Sequence, residues 1–218
     1  MSNFNTIMVP ASSANLGSGF DVIGACLNVW NEINFRKSKF SIENRGFGSK
    51  RLQTSKENLI YRSYIHTSNI YGKKEIELSI RCQNSIPTSG GLGRSSSAII
   101  AGILMACSVH NIDLSTDDIF QIASDIEGHP DNVGPALYGG ITLGFKDLEK
   151  WYISNIKYNK NLKVVSFVSD QKILTNESRA ALPDTISRED AVYNITRSAL
   201  LVNSLNTNDL LNNLKPCS

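Results

Sequence analysis

The sequence has no large excess of charge of either sign. Its 218 residues include 22 Lys and Arg and 20 Asp and Glu, which gives a net charge of +2. This balance gives no electrostatic reason to expect a nucleic acid or a membrane surface as a partner. The most apolar stretch, AIIAGILMACSV, is too short to cross a bilayer. The N-terminus lacks the basic and then apolar segments of a secretory signal. We therefore expect a cytoplasmic globular protein.

Paired cysteines are also missing. Cys26, Cys82, Cys107 and Cys217 are scattered, with no C-x-x-C pair and no nearby pair of histidines. This spacing argues against both a zinc site and a disulfide framework. We expect reduced thiols.

The apolar patterns predict a mixture of strands and helices. A period of two predicts strands at CLNVWNEINF (26–35) and EIELSIRCQ (75–83), and short apolar runs predict strands at ITLGF (141–145) and KVVSFV (163–168). Helical spacing predicts helices at 57–72, across the apolar stretch after residue 96, at 114–128 with a capping box from Ser115 to Asp118, and at 187–205 capped by Ser187. In the last helix, Val192, Ile195, Ala199 and Val202 would form the apolar face.

Between a predicted strand and a predicted helix lies IPTSGGLGRSSSAIIAG (86–102), the densest cluster of glycine and serine in the chain. Glycines that bend the backbone before a helix N-terminus can turn several N–H groups toward an anion. The loop has no lysine for a Walker A motif, no G-x-G-x-x-G spacing and no G-x-S-x-G elbow. The loop alone leaves two readings open, a phosphate cradle and a tight turn.

Two further polar loops flank this one in the sequence. PASSANLGSGFDVIG (10–24) carries Asn15 and Asp21, and EGHPDNVGPALYGG (127–140) carries acidic, imidazole and amide side chains within six positions. Each loop alone also fits an ordinary turn.

Together and in this order, the three loops and TNESRAALP (175–183) resemble the homoserine kinases of the GHMP superfamily, named for galactokinase, homoserine kinase, mevalonate kinase and phosphomevalonate kinase. The resemblance implies an α+β fold, with a domain like the second domain of ribosomal protein S5 at residues 1–162. Residues 163–218 would form the start of an incomplete α/β C-terminal GHMP domain. It also implies ATP-dependent phosphorylation of the side-chain hydroxyl of L-homoserine, in threonine biosynthesis.

The same resemblance assigns roles to individual residues. The nucleotide loop would comprise Pro87, Thr88, Ser89, Gly90, Gly91, Leu92, Gly93, Arg94, Ser95 and Ser96, and Mg²⁺ would lie on Ser95 and Glu127. Homoserine would lie against Asn15, Asp21, His129, Asp131 and Arg179, whose guanidinium matches a carboxylate. The catalytic candidates are Asp21, as a base, and Asn132.

Two features depart from the family pattern. Arg94 stands where the family has the first serine of its nucleotide motif, and no third glycine-rich motif occurs before Ser218. We therefore expect a fragment or a truncated reading frame with weak or no kinase activity. Two alternatives remain open, a catalytically silent ligand-binding protein and a GHMP kinase for another small alcohol such as mevalonate. The resemblance further suggests a homodimer.

Overall fold

The computed structural model describes residues 3–87, 91–166 and 182–207, which form a six-stranded sheet, helices and connecting loops. The strands are β1 (Asn5–Ala14), β2 (Ile23–Lys37), β3 (Ser41–Gly46), β4 (Leu78–Asn84), β5 (Ile141–Asp147) and β6 (Lys150–Ile156). The helices are α1 (Leu59–Ile70), α2 (Arg94–His110), α3 (Thr116–Glu127), α4 (Val133–Tyr138) and α5 (Arg188–Thr207), with a 3₁₀ turn at Ser49–Arg51. The predicted α+β fold is confirmed.

The long strand β2 organises the sheet. It pairs antiparallel with β1 along one edge, while its other edge pairs with β4 at residues 32–37 and with β5 at residues 23–25. Residues 26–31 thus lie in a gap between β4 and β5. The loops that follow α4 and β4 enter this gap, since Cys26 N donates to Gly140 O at 2.7 Å and Ser85 N donates to Asn31 Oδ1 at 2.9 Å.

The main core lies between one face of the sheet and helices α1, α2 and α3. The predicted alternation in β4 holds, because Leu78, Ile80 and Cys82 are buried. The apolar stretch predicted to form a helix is in α2, and it is buried at Ile99, Ile100 and Ile103. Burial of each large aliphatic side chain contributes about 1.5–3 kcal/mol to the stability of the fold. This packing therefore fixes β4 and α2, the two elements between which the glycine loop lies.

Two predicted helix boundaries are confirmed in detail. Helix α3 begins with the predicted capping box, in which Ser115 Oγ accepts from Asp118 N at 3.1 Å and Asp118 Oδ2 accepts from Ser115 N at 3.0 Å. The helix ends before Gly128, whose φ is +88°. Helix α1 is followed by Gly72 at a φ of +62°, as expected for a left-handed terminating residue.

The C-terminal part of the described chain corrects two predictions. Residues 163–166 of KVVSFV are not in a strand, and Val165 is 75% exposed; residues 167–168 lie outside the described ranges. Helix α5 is capped by Ser187 as predicted, with Asp190 N donating to Ser187 Oγ at 3.0 Å. Its buried residues are Leu201, Ser204 and Leu205, whereas the predicted face at Val192, Ile195 and Ala199 is exposed and Val202 is partly buried. The reason is that α5 meets the β2 and β5 region only through its C-terminal half.

The strands β3 and β6 and the helix α4 were not predicted. No helix in the described ranges is long and apolar enough to cross a membrane. The domain boundary at residue 162 stays a prediction.

Candidate active site

The loop between β1 and β2 has an unusual backbone at two functional candidates. Asn15 and Asp21 both have a φ of +58°, and Asn15 Oδ1 accepts a hydrogen bond from Asp21 N at 2.8 Å. Residues other than glycine seldom adopt this left-handed conformation, and where they do they concentrate at functional sites. The amide of Asn15 thus bridges its own loop and fixes the backbone that carries the Asp21 side chain.

Asp21 meets His129 and Asp131, which come from the loop between α3 and α4. One ligating atom from each of these three side chains lies within 4.8 Å of the others. His129 Nδ1 lies 2.5 Å from Asp131 Oδ1, which also accepts from Asn132 N at 2.8 Å. Asp131 is 1% exposed, so its carboxylate is held by these contacts in a buried position. Two carboxylates beside an imidazole form a site suited to a cationic group such as an ammonium.

A buried serine that sequence reasoning missed connects this cluster to the glycine loop. Ser12 Oγ donates to Asn132 Oδ1 at 2.8 Å, and Ser12 N donates to Leu92 O at 3.3 Å. Gly93 packs directly on this pair, since a Cβ at Gly93 would lie 1.9 Å from Ser12 Oγ and 2.9 Å from Asn132 Oδ1. Ser12 lies inside the PASSAN segment, but nothing local in that segment distinguishes its role from that of Ser13.

The described part of the glycine loop has the backbone of an anion cradle. Gly91 and Gly93 both have a φ of +64°, and α2 begins at the next residue, Arg94. Ser97 N donates to Gly93 O at 2.9 Å as the first helical bond. By helix geometry, the amides of residues 94–96 have no acceptor within the helix and can face an anion. Leu92 is buried, so only its backbone can take part. Pro87 is partly buried, and Thr88, Ser89 and Gly90 lie outside the described residues.

The predicted metal pair is in contact at the start of α2. Ser95 Oγ donates to Glu127 Oε2 at 2.8 Å, and Ser96 Oγ donates to Glu127 Oε1 at 3.0 Å. Glu127 is the last residue of α3, where the helix dipole disfavours a negative charge. A cation there would offset the negative charge of the Glu127 carboxylate and the partial negative charge at the C-terminus of α3. Carboxylate and hydroxyl oxygens are also ligand types that Mg²⁺ prefers.

Arg94, the departure from the family pattern, does not point out into solvent. Its side chain is partly buried and lies close enough to Cys82 of β4 to interact with it electrostatically. Burial lowers the pKa of the guanidinium from its ordinary value. Burial also raises the pKa of the Cys82 thiol to about 12, which keeps it neutral. Arg94 Nη2 is buried and has no hydrogen-bond partner among the described residues.

The first loop is also supported from behind by α5. Ser198 Oγ donates to Ser18 O at 2.9 Å, and a Cβ at Gly17 would contact Leu201 Cδ2 at 3.4 Å. Arg179, the predicted carboxylate ligand, lies outside the described residues. The structure thus brings together the described candidates from all three loops.

Comparisons with known proteins agree with this arrangement. A family model for the N-terminal domain of GHMP kinases matches residues 58–140. The chain is 39% identical over 207 residues to a homoserine kinase from Clostridium acetobutylicum, covering 93% of this chain and 69% of that protein. It is 37% identical over 205 residues to a homoserine kinase from Crocosphaera subtropica, covering 92% and 67%. The chain therefore spans about two thirds of the length of these relatives.

The fold is shared with a solved structure as well. The crystal structure of a homoserine kinase from Cytophaga hutchinsonii superposes with a TM-score of 0.77 at 24% sequence identity, over 96% of this chain and 69% of that one. This likeness shows the fold alone. The sequence identity to the two curated relatives over most of this chain shows the family: the chain belongs to the homoserine kinases of the GHMP superfamily.

Proposed function

We propose that this chain transfers the γ-phosphoryl group of ATP to the side-chain hydroxyl of L-homoserine, forming O-phospho-L-homoserine and ADP. The observation that carries the proposal is the chain of contacts from Gly93 through Ser12 and Asn132 to Asp131. These contacts support the proposal because they join the glycine loop to the cluster of Asp21, His129 and Asp131. Phosphoryl transfer needs mainly this kind of positioning and charge stabilisation.

On the nucleotide side, the backbone from Pro87 to Ser96 would hold the phosphates. The positive φ of Gly91 and Gly93 and the N-terminus of α2 support this assignment. Ser95 and Glu127 would hold Mg²⁺, which when bound neutralises charge on the phosphates. The two serine hydroxyls donate to Glu127 and keep its carboxylate oriented toward the loop.

On the acceptor side, homoserine offers an ammonium group, a carboxylate and a hydroxyl. Asp21 and Asp131 would match the ammonium by charge, and Asn15 would fix the Asp21 backbone through the hydrogen bond at 2.8 Å. His129 and Arg179 would orient the substrate, with the Arg179 guanidinium on the carboxylate. Asp21 is the proposed base that accepts the hydroxyl proton. Asn132 would keep the acceptor site aligned with the glycine loop through its contact with Ser12.

The finer context rests on family membership. We propose that the reaction serves threonine biosynthesis in the cytoplasm and that the chain forms a homodimer. Sedimentation at micromolar concentration would measure the oligomeric state directly.

The test is ADP release measured with L-homoserine, with mevalonate and with no acceptor. We expect ADP release that depends on homoserine but is weaker than the roughly 1–100 per second typical of kinases, in line with the weak activity expected from the sequence. For Asp21→Asn we expect a further loss of about 10²–10⁴-fold in kcat, the range that general base catalysis contributes. Asp113→Asn is the matched control, because Asp113 is exposed and follows the C-terminal end of α2, the end opposite the glycine loop.

Three results would contradict the proposal. Release that needs mevalonate would assign a different acceptor. Release that needs no acceptor would make the chain an ATPase. Thermal stabilisation by homoserine without turnover would make it a binding protein.

A further inference from the structure

One buried amide in β2 is bonded to both ends of the segment that carries the glycine loop. Asn31 is 5% exposed, and its Oδ1 accepts from Ser85 N at 2.9 Å and from Ile86 N at 3.1 Å. On its other side, Asn31 Nδ2 donates to Ser97 Oγ at 3.3 Å, and Ser97 is fully buried. The contacts to Ile86 and Ser97 are buried, and the contact to Ser85 is partly buried.

The partners of Asn31 lie where the chain leaves the sheet and where it enters α2. Ser85 and Ile86 are the first residues after β4 ends at Asn84, where the chain turns into the gap beside β2 and leaves the ladder of the sheet. Ser97 lies in the first turn of α2, just beyond the loop. A single planar group therefore sets the distance between the point where the loop leaves the sheet and the point where it enters the helix.

Asparagine suits this place because its side chain carries both an acceptor and a donor in one plane. The acceptor replaces the β2 backbone for two amides that have left the sheet, and the donor reaches the helix. A leucine of similar volume would fill the space but offer neither contact. Aspartate would offer the acceptor but would put a negative charge behind a loop that receives phosphates.

We infer that Asn31 is a positioning residue for nucleotide binding, which fixes the two described ends of the glycine loop, Ser85–Ile86 and Ser97, relative to each other before ATP arrives. It acts through the loop backbone and touches no substrate. The inference rests on the proposed function, since it takes the loop to be the ATP site. It adds a residue that lies outside all three sequence motifs.

The test is calorimetric titration of ATP in the presence of Mg²⁺ into the full chain and its variants. For Asn31→Leu we expect the Kd for ATP to rise about tenfold, as the loss of buried hydrogen bonds at a binding loop would give. The Kd for L-homoserine should stay within about twofold. Asn84→Leu is the matched control, because Asn84 is 6% exposed and its Nδ2 donates to Arg45 O at 3.0 Å, toward β3 and away from the loop. It should lower the melting temperature but leave the Kd for ATP unchanged.

The outcomes separate the inference from the proposed function. If the wild-type chain binds no ATP, the proposed function fails. If it binds ATP and Asn31→Leu binds equally well, or if Asn84→Leu loses as much affinity, the positioning role of Asn31 is refuted. Should Asn31→Leu not fold, Ser97→Ala removes only the contact to α2; a rise of about threefold in the Kd for ATP supports the role, and an unchanged Kd overturns it.

Discussion

Replacing Gly93 with alanine separates two costs that usually occur together at a glycine. The first is the backbone conformation, and the second is the space that a new Cβ needs. Gly91 and Gly93 both have a φ of +64°, so alanine meets the same backbone cost at either position. No described atom lies within 4 Å of a Cβ at Gly91, whereas a Cβ at Gly93 would lie 1.9 Å from Ser12 Oγ.

The magnitude follows from these contacts. A left-handed alanine costs about 1–2 kcal/mol, which applies to both variants. At Gly93 the Ser12 hydroxyl must also rotate away, which breaks its 2.8 Å bond to Asn132 in a place where Ser12 is fully buried. A lost buried hydrogen bond adds about 1–3 kcal/mol. Rotation leaves the new Cβ 3.2 Å from Ser12 Cβ, a contact that remains tight. We expect Gly91→Ala to lower the free energy of unfolding by about 1–2 kcal/mol and Gly93→Ala by about 2–5 kcal/mol.

Urea denaturation of both variants measures this difference, provided that the slope with denaturant stays the same. The double variant Gly93→Ala with Ser12→Ala offers a check, since it removes the clashing hydroxyl and should recover part of the loss. Equal destabilisation at positions 91 and 93 would refute the reasoning, because it would mean that the contact among Gly93, Ser12 and Asn132 carries no energy.

Three further predictions concern separate parts of the molecule. Glu127→Gln should raise the Mg²⁺ concentration for half-maximal ADP release about tenfold or more, because it removes the charge beside Ser95; an unchanged requirement would exclude Glu127 as a ligand. Ser198→Ala should lower the free energy of unfolding by about 0.5–1.5 kcal/mol and raise the KM for homoserine more than that for ATP, because it frees Ser18; equal changes in both KM values would contradict the assignment. Burial, with Lys37 and Lys73 nearby, lowers the pKa of His110 below its ordinary value of 6.5. Its neutral form is thus favoured by folding, and the free energy of unfolding should fall as pH drops below about 6.5, a pH dependence that His110→Gln should reduce.

Local sequence patterns predicted the parts of the fold that depend on local physics. The capping box of α3 and the alternation in β4 need only nearby residues, and both are confirmed. Helix α4 was missed because Gly134 and Pro135 interrupt its pattern; in the fold it packs against α2 and α3 as well as against β1, β2 and β5. Strand β3 was missed because it lies at the edge of the sheet, where only Ile42 is buried.

The residues of the site also divide into those that sequence patterns predicted and those that they did not. Asn15, Asp21, His129 and Asp131 lie in motifs and could be named from the sequence, and the structure brings the last three side chains together. The contacts of Ser12 and Asn31 reach residues 120 and up to 66 positions away. No pattern within a window of the sequence encodes such pairs, because the partner is chosen by the tertiary fold. The prediction of the apolar face of α5 was wrong for the same reason, since the rest of the fold decides which part of the helix is covered.

The separation of the partners in the Ser12 to Asn132 contact also bears on how the protein folds. Joining residues 120 positions apart closes a large loop of chain, and contacts of this kind form slowly because the entropy of closure must be overcome first. The acceptor site does not exist until the first strand and the segment after α3 have met. If this joining comes after the rate-limiting step of folding, ATP and homoserine will leave the folding rate unchanged and will slow unfolding instead. The substrates of this chain would then lengthen the lifetime of the folded protein without helping to form it.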